Sequence, residues 1–85
     1  MKVVGLIVIS FETRKGQEEI LDQAVKYFRD DVGLEVTERG SCCVYFADKI
    51  GYVKMTLTEE EDKFKVDVES KEYEYHAKEF ARKFK

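Results

Sequence analysis

Four successive runs between Leu34 and Val68 place an apolar residue at every second position. They are Leu34 and Val36, then Cys42, Val44 and Phe46, then Val53, Met55 and Leu57, then Phe64, Val66 and Val68. Period-two alternation puts these side chains on one face of a strand and their neighbours on the other. The pattern is restrictive, because a one-residue slip between partners turns a strand inside out. Three hairpins satisfy it together. Pairing Glu38 with Cys42 leaves Arg39-Gly40-Ser41 as a loop and sets Val36 against Val44. Pairing Ala47 with Tyr52 leaves Asp48-Lys49-Ile50-Gly51 and aligns Phe46 with Val53. Pairing Thr58 with Lys63 leaves Glu59-Glu60-Glu61-Asp62 and aligns Leu57 with Phe64. A four-run antiparallel meander with one apolar face is therefore expected.

The flanking segments complete the order. Val3 to Ser10 is almost wholly aliphatic, the pattern of a strand covered on both sides. Thr13 is placed to cap a helix, with Glu18 and Glu19 near its positive end. Ile20, Leu21, Ala24, Val25, Phe28 and Val32 then recur at helical spacing until Gly33 stops them. Ser70 is placed to cap a second helix with the stripe Tyr73, Ala77, Phe80, Ala81 and Phe84. The expectation is one α+β domain over residues 1–85, in the order β-α-β-β-β-β-α. Its sheet of about five strands is mainly antiparallel, with two helices packed on one face. The other face carries Glu35, Thr37, Tyr45, Tyr52, Lys54, Lys65 and Asp67 and is expected to be wet.

Composition bounds the function. Charged residues make up 39% of the 85 positions, where about a quarter is usual. Pro, Trp and Asn are absent and Gln occurs only at Gln17 and Gln23, an ion-rich, amide-poor balance that suits a thermophilic source. A net charge of −3 argues against nucleic acid, which needs a basic field. No stretch approaches the roughly 20 apolar residues of a membrane span. The apolar start is short and lacks a small-residue cleavage site, so a strand and a cytoplasmic location are expected. Cys42 and Cys43, as strand neighbours, would point to opposite faces, Cys42 into the core and Cys43 outward. That arrangement strains a disulfide between them and falls short of a zinc site.

In outline, the β-α-four-strand order resembles the cystatin and monellin architecture with a helix appended. The protease-binding Gln-x-Val-x-Gly loop of cystatins has no counterpart, so inhibition is not carried over. The α-β-β-β-α portion is similar to double-stranded-RNA-binding domains, but Glu72 and Glu74 stand where those carry lysines, beside Lys71 alone. In composition the whole chain is similar to small uncharacterised proteins of thermophilic archaea.

Two groups of carboxylates are candidate ligands. Asp30 and Asp31 fall in the last turn of the first helix, where the backbone dipole disfavours anions, and Asp48 lies in a turn at the same end. Glu59, Glu60, Glu61 and Asp62 form the acidic loop at the other end, near Arg14, Lys15 and Arg39. Oxygen-rich loops of this kind suit a hard divalent cation, Ca²⁺ or Mg²⁺, although no EF-hand spacing is present. Ion pairing with Arg29, Lys49 and Lys71 is the competing explanation. His76 is the single histidine, and no serine has a base placed beside it. The expectation is thus a non-catalytic, monomeric or weakly associating thermostable domain with divalent-cation binding through acidic loops. The alternative is a protein interaction module, or a self-associating one, that uses Tyr45, Tyr52 and Lys54 on the open sheet face.

Overall fold

The computed structural model describes residues 6–84. Five strands and two helices follow in the expected order: β1 (Leu6–Thr13), α1 (Gln17–Val25), β2 (Glu35–Arg39), β3 (Cys43–Ala47), β4 (Tyr52–Glu60), β5 (Lys63–Lys71) and α2 (Glu74–Arg82). All four neighbouring pairs are antiparallel, and the spatial order is β1-β5-β4-β3-β2. The chain is an α+β domain. Phe28 of the first helical segment packs against Phe46 of β3 at 5.2 Å and Phe80 of α2 at 5.3 Å between ring centroids. These contacts join both helices and one sheet face in a single core with Ile20, Leu21, Val53, Met55, Val66 and Val68.

β1 departs from its expected place. It runs to Thr13 at a sheet edge, and one of its faces is open rather than covered. Residues 3–5 of the expected strand lie outside the described residues. Phe11 faces the core, while Leu6 and Val8, of opposite parity, are 54% and 60% exposed. An unbroken aliphatic run carries no period, so it could not disclose the open face.

The helix boundaries differ as well. Thr13 does not cap α1. Gly16 is the cap residue, and Thr13 Oγ1 accepts a hydrogen bond from the Lys15 amide within the connection. After Val25 the helix widens into a π-helical segment, Lys26–Asp31. Its close is marked by the Val32 amide donating to the Tyr27 carbonyl, the Leu34 amide donating to the Phe28 carbonyl, and Gly33 at φ +97°. Ser70 belongs to β5, opposite Val53 and Ile7, and is fully buried with its hydroxyl unpartnered among the described residues. Tyr73 takes the cap position of α2, without a side-chain cap bond.

Register decides what each hairpin presents. The β3–β4 pairing matches the expected one, with Ala47 opposite Tyr52 and Phe46 opposite Val53. The β4–β5 hairpin is longer than expected: Leu57 faces Val66, Glu59 faces Phe64 and Glu60 faces Lys63. Only Glu61 and Asp62 remain at the tip, Glu61 at φ +33°. Two further residue pairs thereby join the ladder, and Glu60 gains a cation opposite it. In the first hairpin Val36 faces Phe46 rather than Val44, and a bulge between Val36 and Glu38 sets Arg39 against Val44. The bulge reverses parity, so Arg39 turns to the helical side and pairs with Asp22 at 3.1 Å and Glu18 at 3.7 Å.

Candidate functional site

Both helices lie on one side of the sheet, so among the described residues the other side has no covering layer. The side chains there form rows set by the ladder. One row runs Val8, Glu69, Lys54, Tyr45 and Glu38, and the next runs Leu6, Lys71, Tyr52, Ala47 and Glu35. Tyr45 stands directly opposite Lys54, with Tyr52 on the diagonal. The two phenol rings stack, with centroids 5.6 Å apart and planes 25° from parallel. Diagonal neighbours on antiparallel strands lie within reach of aromatic side chains, which explains how a strand register creates this stack.

Hydrogen bonding fixes one ring. Tyr52 donates its hydroxyl to Glu69 Oε2 at 2.6 Å. That bond, with some burial, pushes the Tyr52 phenol above its ordinary pKa. Both tyrosines are half-buried and Lys54 is exposed. Beside Tyr45 a shallow depression of about 350 Å³ is bounded by Glu38, Arg39, Cys43 and Lys54. Leu6 and Val8 supply apolar surface at the β1 edge of the face. With strands about 4.8 Å apart, they lie on the order of 10–14 Å from the tyrosines. The sequence reading missed Leu6, Val8 and Glu69. Registering β1 against β5 would have found Leu6 and Val8, but the uniformly aliphatic β1 offers no parity with which to do so. Glu69 continues the Lys65 and Asp67 parity of β5 and is hidden because Ser70 reads as a helix cap.

The candidate cation ligands are distributed differently. Asp48 sits in the β3–β4 turn, where its Oδ1 accepts the amides of Ile50 at 2.8 Å and Gly51 at 3.0 Å. Its Oδ2 accepts the Tyr73 hydroxyl. The Tyr73 bond first, and the turn amides after it, hold the Asp48 carboxyl below the usual carboxylate range. The same bond pushes the Tyr73 phenol up to about 12. Asp48 thus ties a turn to the start of α2. Asp30 pairs with its neighbour Arg29 at 2.9 Å, and Asp31 is exposed at the end of the helical segment. Because Glu35 lies opposite Ala47, these aspartates and Asp48 do share one end of the sheet, as expected.

At the opposite end, strand pleating separates the acidic run. Glu59 and Glu60 are consecutive strand residues and point to opposite faces, while Asp62 lies 3.8 Å from Arg14. No three His, Cys, Asp or Glu side chains among the described residues gather as a group able to hold a metal ion. His76 lies in an aromatic cluster, its Nδ1 3.3 Å from the Tyr27 hydroxyl and its ring beside Tyr73 and Tyr75. The cysteines are also placed otherwise than expected. Cys42 precedes β3 in the loop and is exposed, so it does not enter the core. Comparisons with protein-family models, with curated proteins and with solved structures each returned no match.

Proposed function

We propose that the chain is a protein interaction module that binds through its open sheet face, with Tyr45 and Tyr52 as anchors and Lys54 between Tyr45 and Glu69. The observation that carries this reading is the stacked tyrosine pair on a face without a covering layer among the described residues. Tyrosine suits such a role because a large rigid surface is ordered before contact, so little conformational entropy is lost on binding. Glu69 adds to this by holding Tyr52 in place. The mixed charges around the pair, Glu38, Lys54, Glu69 and Lys71, fit a polar rim of either sign and favour a peptide surface over a nucleic acid.

Site-specific photocrosslinking tests the reading. A benzoylphenylalanine at position 45, introduced in the cells that make the protein, is expected to yield a discrete protein adduct that Tyr52→Ala abolishes. The same group at position 22, on the outer side of α1, is the control. Equal or absent adduct formation at the two positions refutes the proposal.

A further inference from the structure

The two cysteines carry a second property, independent of the face's partner. Cys42 and Cys43 Sγ stand 2.6 Å apart, although the residues are consecutive. The loop explains how. Cys42 lies ahead of the strand, so pleating does not force its side chain away from that of Cys43. Backbone bonds then clamp both residues: the Leu57 amide donates to the Cys42 carbonyl at 2.7 Å, and the Gly40 amide donates to the Cys43 carbonyl at 2.8 Å. Cys42 is exposed and Cys43 half-buried, so an oxidant in solution meets Cys42 first. The hydrogen bond to Cys42, followed by burial, raises the Cys43 pKa, which keeps that thiol protonated longer. Lys54 borders the same depression and supplies positive charge for a thiolate and for an anionic oxidant.

We infer that Cys42 and Cys43 form a redox modification site that closes to a vicinal disulfide on reaction with a small-molecule disulfide. The Cys42 thiolate attacks one sulfur of the oxidant, the oxidant's S–S bond breaks, and one thiol leaves with a proton. The Cys43 thiolate then attacks the Cys42 sulfur of the mixed disulfide and releases the second thiol. Two protons and two electrons pass from the pair to the oxidant, which departs as two thiols. The neighbouring sulfur is held in place, so the second step outruns escape of the mixed disulfide.

The test uses the purified full chain, fully reduced and then titrated with oxidised glutathione, and reads free thiols and intact mass. Both thiols are expected to disappear, with a loss of two hydrogens in mass and no added glutathione. Cys42→Ser and Cys43→Ser, each with one thiol left, are expected to stop as glutathione adducts. Such adducts should be roughly tenfold or more scarcer in the unsubstituted chain. Retention of both thiols, stable glutathione adducts on the unsubstituted chain, or disulfide-linked dimers would overturn the inference.

Discussion

Replacing Glu61 with glycine is expected to stabilise the fold, against the usual effect of glycine in a strand-rich segment. Glu61 occupies the first of two tip positions in the β4–β5 hairpin at φ +33°, where an L side chain crowds the backbone. That crowding costs on the order of 1–2 kcal/mol. Glycine removes it but adds unfolded-state freedom worth about 0.5–1 kcal/mol. The net gain is about 0.5–1 kcal/mol, and thinning the acidic run adds to it. For a domain of this length a gain of that size raises Tm by roughly 2–8 °C. Thermal unfolding followed by circular dichroism at neutral pH measures it. Glu60→Gly is the control, since Glu60 lies in the ladder opposite Lys63 and should lose about 0.5–1 kcal/mol. If Glu61→Gly destabilises as Glu60→Gly does, the two-residue tip is wrong, and a four-residue acidic loop is restored.

Gly51→Ala is expected to destabilise by about 1–3 kcal/mol in denaturant melts, because an added Cβ would lie 2.0 Å from the Lys71 carbonyl oxygen. The Asp48–Tyr73 bond links stability to pH at both extremes. With the Asp48 pKa lowered, its contribution is complete above the ordinary carboxylate range and fades as pH falls through the folded value. With Tyr73 raised to about 12, its contribution is complete below the ordinary phenol pKa and is lost as pH rises towards that value. Tyr73→Phe should therefore flatten both limbs of a stability–pH curve and remove one late-titrating phenolate from the ultraviolet difference spectrum. Addition of Ca²⁺ or Mg²⁺ is expected to shift amide resonances near Asp48 and Glu59–Asp62 diffusely and without saturation, since Asp48 is engaged and the acidic run is split across two faces. Saturable shifts at one turn would return the cation reading.

How much of this was legible in the sequence follows from the period-two pattern and its blind spot. Parity placed Val44, Phe46, Val53, Met55, Val66 and Val68 on the core face and Tyr45, Tyr52 and Lys54 on the other. It is insensitive to a slip of two. The β4–β5 register moved by two residues without disturbing any apolar position, and four expected loop carboxylates became two strand residues and a two-residue tip. The β2–β3 bulge was hidden for a related reason, since the polar run Thr37-Glu38-Arg39 offers no apolar marker to show where parity reverses. β3 starts at Cys43, so Cys42 falls in the loop and strand alternation does not part the two sulfurs. Ser70 misled because a serine before a helical stripe is an ordinary cap signal, whereas β5 simply continues through it.

The binding role of the open face meets its most direct test in amide spectra of the isotope-labelled chain, recorded in buffer and in extract of its own cells. Residues along the Val8–Glu69–Lys54–Tyr45 row, and Tyr52 beside it, are expected to lose intensity selectively in extract, and Tyr45→Ala with Tyr52→Ala should restore them. Uniform loss, or loss confined to the outer sides of α1 and α2, would contradict the assignment.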